Sequence, residues 1–220
     1  VTATPGRWGD GRRRRIGLLG GSFNPAHAGH LHVAETARRA LRLDEVWLLV
    51  SPGNPLKPRA GMAPFARRLA SARRVAAARP WLVASDLEAR LGTRFTIDTL
   101  AALRRRFPRA RFVLLIGADN LVQLPRWRRW EELARGTPIA VLPRPGWTRR
   151  ALAGQAARRL ARHHRPPGAL LAETPGAAGG LRNHAPWCFV PAAESPESAT
   201  AIRAAAAAAA TPAARPARAA

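Results

Sequence analysis

Ile16-Gly17-Leu18-Leu19-Gly20-Gly21-Ser22-Phe23-Asn24-Pro25-Ala26-His27-Ala28-Gly29-His30 opens the ordered part of this chain. Ile16–Gly20 is a short apolar run that ends in two glycines, the pattern of a buried strand entering a tight turn. After Pro25, Ala28 to Leu41 reads as a helix, with Leu31, Ala34, Ala37 and Leu41 on one stripe. A glycine turn between strand and helix lets an anion approach the backbone amides, and the helix N-terminus points its free N–H groups at the same place. His27 and His30, three residues apart at that N-terminus, can face one side. Imidazole is a suitable donor to a phosphoryl oxygen gaining charge. For either histidine alone, helix capping by His27 or packing of His30 under the sheet is the better reading; for the pair embedded in this glycine-turn segment the phosphate reading is. The sequence Gly-Lys-Ser/Thr of a P-loop is absent after the turn, and so is G-x-G-x-x-G.

Working outward, strands and helices alternate. Val46–Val50, Trp81–Ala84, Arg111–Ile116, Ile139–Leu142 and Trp187–Val190 read as further strands. Ala63 to Ala78, Thr96 to Arg106, Pro125 to Arg135, Ala151 to His164 and Ser198 to Ala210 read as helices. Pro166 to Ala185 is rich in Pro, Gly and Ala and reads as loop. This order predicts an α/β fold, a doubly wound, Rossmann-like parallel sheet with helices on both faces. Residues 16–210 are expected to form a single domain, with 1–15 a flexible N-terminal extension and 211–220 a flexible C-terminal tail. Ligands of such folds bind at the carboxyl ends of the strands, which is where the suggestive loops lie.

Composition narrows the function classes. A hydrophobic content of 47% over 220 residues supports a real core. No apolar run is long enough to span a bilayer, so no membrane partner is expected. The single cysteine, Cys188, cannot form an internal disulfide, which fits a cytoplasmic setting. The net charge of +24 would attract any polyanion, and a basic nucleic-acid-binding module is the reading from another class. However, Lys57 is the only lysine among 37 basic residues, which points to arginine and alanine enrichment from coding bias. Arg38, Arg39, Arg67, Arg68, Arg73 and Arg74 fall at scattered helical positions and read as solvated faces. No specific nucleic-acid partner is expected.

Taken together, the segments resemble the HxGH nucleotidyltransferase superfamily, and in particular bacterial nicotinate-nucleotide adenylyltransferases. Gly20–His30 is similar to the family's nucleotide-binding signature, and Ser198-Ala199-Thr200-Ala201-Ile202-Arg203 to its S-x-T-x-I-R signature. Gly92–Leu100 resembles the aromatic-Thr-x-x-Thr-Leu stretch, and Ile116–Asn120 with Trp127 and Trp130 resembles the I-G-x-D segment and tryptophan helix. Arg144-Pro145-Gly146 resembles the R-P-G loop. Asn24 stands where the family usually has aspartate, and Arg128 stands where an aromatic residue is common.

The resemblance implies a nucleotidyltransferase-type fold and transfer of AMP from ATP to nicotinate mononucleotide, giving deamido-NAD and diphosphate. It also implies Mg²⁺ carried with ATP, since no carboxylate cluster could cage a metal alone and no protein metal ligands are expected. His27 and His30 would be catalytic. Gly20, Gly21, Ser22, Phe23, His27, His30, Ser198, Thr200 and Arg203 would bind ATP. Lys57, Thr96, Asp119, Trp127 and Arg144 would bind the acceptor, with Trp127 stacking the pyridine ring and amides near Thr96 receiving its carboxylate. Nicotinamide mononucleotide or another phosphate ester is the alternative acceptor. Oligomeric state is open.

Overall fold

The computed structural model describes residues 5–6, 8–53, 61–171, 185–194, 199–200 and 202–204. Six strands form one sheet: β1 (Arg15–Gly21), β2 (Glu45–Val50), β3 (Leu82–Ser85), β4 (Arg111–Gly117), β5 (Ile139–Leu142) and β6 (Trp187–Phe189). Every pairing is parallel and the order is β3-β2-β1-β4-β5-β6. The order reverses between β1 and β4, the point where a doubly wound sheet opens a crevice at its carboxyl edge. The fold expected from the alternation of elements is the fold observed.

Side-chain alternation along each strand divides the core into two layers. Ile16, Leu18, Trp47, Leu49, Leu114 and Ile116 pack on one face of the sheet. Leu19, Val46, Leu48, Val113 and Leu115 pack on the other. The second face is covered by α1 (Ala28–Leu41) and α2 (Phe65–Ala76), through Ala34, Ala37, Leu41, Leu69 and Ala72. The first is covered by α3 (Leu87–Leu91), α4 (Thr96–Arg106), α5 (Ala118–Gln123) and α6 (Trp130–Gly136), and by α7 (Thr148–Leu152) and α8 (Gln155–Arg159). Trp47 is fully buried and meets Phe107 and Phe112 edge-on, at ring distances of 5.2 and 5.8 Å. At Gly17 a Cβ would lie 2.7 Å from the Leu43 side chain and 2.8 Å from that of Leu115, so those methyl ends would have to move to admit it.

Two expected helices are broken. The helix read over Pro125 to Arg135 is a 3-10 turn at Leu124–Arg126, an extended Trp127, and α6 starting only at Trp130. Pro125 offers no N–H, and Arg129 adopts a left-handed φ of 53° as the N-cap of α6. The preceding α5, which the periodicity did not reveal, ends where that turn begins. The helix read over Ala151 to His164 is likewise split, with Gly154 in extended conformation between α7 and α8 and a 3-10 turn at Ala161–His163. The last helix, read over Ser198 to Ala210, is helical at 199–200 and 202–204 and otherwise lies outside the described residues.

Part of the N-terminal stretch is tied to the domain. The Arg12 guanidinium bridges Asp10 at 2.8 Å and the buried Glu45 at 3.4 Å, and Arg111 N–H donates to the Arg14 carbonyl at 2.8 Å. The one cysteine, Cys188, is buried in β6, and burial pushes its thiol up to about 12, so it is no nucleophile at neutral pH.

Candidate active site

The turn after β1 is held from below by α2. Phe23 is buried at a left-handed φ of 47°, a conformation that costs an L-residue roughly 1–2 kcal/mol and needs outside support. Its ring lies against Gly21, where an added Cβ would come within 3.3 Å, so any side chain there would press on the Phe23 ring. Ser71 Oγ receives the Ala26 N–H at 3.1 Å. Arg68 is only 2% exposed, and its guanidinium donates to the carbonyls of Ser22 (2.7 Å), Ser51 (2.8 Å), Ala63 (3.0 Å) and Pro52 (3.3 Å). This corrects its reading as a solvated helical arginine: the residue ties the β1 turn to the loop after β2, and burial pushes its pKa down.

His27 and His30 are locked together at the start of α1. His27 is the N-cap, and its Nδ1 accepts from Gly29 N–H at 3.1 Å. His30 Nδ1 accepts from His27 N–H at 3.3 Å, so the two side chains form a reciprocal capping box with ring centroids 3.9 Å apart. Capping and a phosphate role therefore coincide. A ring nitrogen that accepts a backbone N–H carries no proton, so in both neutral imidazoles the proton sits on Nε2. Each ring is thereby fixed as an Nε2–H donor.

Two lobes meet along Leu19, Gly20, Gly21 and Ser22. One, of about 400 Å³, is lined by those residues with Phe23, Asn24, His27, His30, Thr200 and Arg203. Every described residue expected to bind ATP lies on it; Ser198 lies outside the described residues. Arg203 Nη1 donates to the Asn24 carbonyl at 2.6 Å, joining the two signature segments across the fold. The Asn24 side chain is occupied at both ends, donating to Gly61 O at 2.9 Å and accepting from Ala63 N–H at 3.1 Å. An ionised aspartate could make only the second bond.

The other lobe, of about 180 Å³, is lined by Ser51, Glu88, Phe95, Thr96, Thr99, Trp127 and by Arg94, Arg126 and Arg128. It is smaller than the roughly 300–1,000 Å³ of a pocket for a whole ligand, so it suits one end of a molecule that continues into the first lobe. Helix α4 begins here at Thr96 without a side-chain cap, leaving first-turn amides to an anion. Arg128 lies over the Phe95 ring at 4.7 Å.

The expected acceptor residues divide between the lobes. Thr96 and Trp127 line the smaller one. Asp119 and Arg144 instead line the larger one beside the histidines, a correction to the single acceptor set. The cause is topological: Asp119 opens α5 directly after β4, next to β1, and Arg144 follows β5. Lys57 lies outside the described residues. Arg94 and Asn120 fall inside resembling segments but were given no role by the sequence. Glu88 and the buried Arg68 were missed, since no periodicity or motif marks those two and their placement depends on how separate loops converge.

The Cytidylyltransferase-like family model matches residues 18–205. A probable nicotinate-nucleotide adenylyltransferase of Gluconobacter oxydans is 58% identical over 86% of this chain and 93% of its own length. One of Gluconacetobacter diazotrophicus, bearing the same description, is 55% identical over 90% and 89%. This chain belongs to the nicotinate-nucleotide adenylyltransferase family. The Plasmodium falciparum nicotinic acid mononucleotide adenylyltransferase complexed with NaAD superposes with a TM-score of 0.56 over 64% of this chain and 70% of that one. At 19% identity that likeness carries the fold alone. For this family member the two lobes acquire a common purpose, since its reaction must bring two nucleotides into contact at a phosphate. Among the described residues no helix is long and apolar enough to cross a membrane.

Proposed function

We infer that the chain transfers the adenylyl group of ATP to nicotinate mononucleotide, releasing diphosphate and forming nicotinate adenine dinucleotide for NAD biosynthesis. The observation that carries this reading is the pair of lobes sharing the glycine turn after β1. One gathers phosphate-binding groups, and the other offers an aromatic wall and a helix N-terminus to a ring bearing a carboxylate. The family supports the same acceptor.

An oxygen of the acceptor's phosphate attacks the α-phosphorus in line. That P–O bond forms as the bond from the α-phosphorus to the oxygen bridging the β-phosphorus breaks, and diphosphate leaves with the electron pair. The attacking phosphate is already ionised at neutral pH, so no general base is needed. Catalysis reduces to holding the partners in line and neutralising charge. His27 and His30 donate from Nε2 to the α-phosphoryl oxygens as negative charge builds. The amides of Gly20, Gly21 and Ser22 and the Phe23-supported turn cradle the phosphates. Thr200 and Arg203, with Ser198 and Lys57 from outside the described residues, receive the departing diphosphate or the acceptor phosphate. Trp127 stacks the pyridine ring and Thr96 N–H donates to its carboxylate, while Asp119 accepts from a ribose hydroxyl of the acceptor and Arg144 faces its phosphate where the lobes meet.

Among the described residues no cluster of three His, Cys, Asp or Glu could hold a metal, whereas Asp119 places one carboxylate on the phosphate lobe. That donor set fits Mg²⁺ arriving on the triphosphate with its own waters, where it supplies charge neutralisation. A buried, unreactive Cys188 is consistent with a cytoplasmic enzyme. The test is diphosphate release with Mg²⁺–ATP and nicotinate mononucleotide, nicotinamide mononucleotide or phosphopantetheine, with His30→Ala beside the parent. Preference for the nicotinate acceptor, lost in the folded variant, is the expected result. No diphosphate release with any of the three acceptors from folded protein would end the reading.

A further inference from the structure

The smaller lobe holds a carboxyl group for which the transfer itself has no use. Glu88 on α3 lines it, and among the described residues no cation pairs with it, in a chain with 37 basic residues against 13 acidic ones. Thr99 Oγ1 lies 3.5 Å from its Oε1 and shares its proton with the Phe95 carbonyl at 3.3 Å, and the Ser51 hydroxyl, which also donates to the Gly53 carbonyl at 3.0 Å, is a second neighbour. Thr99 is itself buried and fixed by Thr93, Oγ1 to Oγ1, at 2.8 Å. Arg94, Arg126 and Arg128 line the same lobe without bridging Glu88, and Arg94 and Arg128 lie over Phe95 instead. On its own helix, Asp86 and Arg90 pair with each other, and on α4 Asp98 pairs with Arg129. Burial, opposed by the two hydroxyls, pushes the Glu88 carboxyl up to about 7.

We propose that Glu88 sets the acceptor preference: as a neutral carboxyl it admits a negatively charged ring substituent to this lobe, and as a carboxylate it repels that substituent and favours an uncharged amide. The inference rests on the acceptor reading above and adds a residue to it. Neutral Glu88 leaves the three arginines unopposed and can donate one hydrogen bond to a substrate carboxylate. Ionised Glu88 cancels part of that field and can only accept, which suits the N–H₂ of a carboxamide. In a lobe of about 180 Å³ the two carboxylates cannot keep a full layer of water between them.

The experiment is kcat/KM for nicotinate and nicotinamide mononucleotide, each with Mg²⁺–ATP, from pH 6 to pH 8, for the parent and Glu88→Gln. Titration of the shared 5′-phosphate, of ATP and of the histidines cancels in the ratio of the two. With the carboxyl titrating at about 7, the nicotinate-to-nicotinamide ratio falls at least about tenfold across that range and up to about a hundredfold, because the neutral fraction falls from about ten-elevenths to about one-eleventh while the ionised fraction rises by the same factor. Glu88→Gln holds the ratio level. A level ratio in the parent, or the same fall in Glu88→Gln, overturns the proposal. Should Glu88→Gln not fold, the parent decides alone, and calorimetry of the parent at pH 7.5 adds a second readout. Proton uptake on binding nicotinate but not nicotinamide mononucleotide supports the proposal, and equal uptake refutes it. Turnover with neither acceptor sinks the functional reading and this inference with it, whereas turnover with a level ratio sinks only the role of Glu88.

Discussion

Replacing Arg68 with methionine removes the one buried guanidinium that spans the base of the active site. The side chain makes three hydrogen bonds of 3.0 Å or less, to Ser22, Ser51 and Ala63, and a longer one to Pro52. Hydrogen bonds to a charged group contribute about 1.5–3 kcal/mol each, so the gross loss is roughly 4–9 kcal/mol. Part of this returns, because the guanidinium no longer has to be stripped of water, the same penalty that pushes its pKa down. Removing one side of a buried charged network costs about 3–5 kcal/mol net, and that is the expected destabilisation. Methionine keeps most of the stem volume, so little of the change comes from a cavity. The assay is urea unfolding followed by tryptophan fluorescence, with the exposed neighbour Arg67→Met as control, expected within about 0.5 kcal/mol of the parent. The KM for ATP rises as well, since the carbonyls released belong to the turn under the phosphates. An Arg68→Met protein within about 1 kcal/mol of the parent, with unchanged KM for ATP, would refute the clamp.

Three further outcomes are expected. Trp127→Ala raises the KM for nicotinate mononucleotide about 5- to 150-fold, for stacking of about 1–3 kcal/mol, and leaves that for ATP within about twofold; steady-state kinetics with each substrate varied decides it. His27→Ala loses the N-cap of α1 and about 1 kcal/mol of stability in a denaturant titration, besides its effect on turnover. Glu88 also links stability to pH. Its carboxyl is raised from 4.5 to about 7 in the folded chain, so its contribution is fully present below pH 4.5 and is lost as pH rises to about 7. The loss amounts to as much as roughly 3 kcal/mol. Stability curves of the parent and Glu88→Gln between pH 4.5 and 8 should therefore diverge in favour of the variant as pH rises.

By itself the sequence determined the strand–helix alternation, hence the doubly wound sheet. It also determined the segment Gly20–His30, because a glycine turn and two histidines at a helix start are local features that chain spacing records. Helix α1 runs over Ala28–Leu41 and α4 over Thr96–Arg106, the bounds that periodicity and flanking residues gave. The breaks at Arg129 and Gly154 were not legible, since a helical stripe continues across them and only packing against the sheet selects the break. Tertiary structure alone decided which polar residues serve the site. Arg68 has the same surroundings in sequence as its exposed neighbour Arg67, yet it is buried because α2 turns that face toward four loop carbonyls. Asp119 and Trp127 lie eight residues apart but line different lobes, because α5 and the turn at Pro125 carry the chain from one to the other. Glu88 is an unmarked residue of a short helix until Ser51 and Thr99, from two other segments, close around it. Burial and convergence depend on residues distant in the chain, so a local pattern cannot encode them.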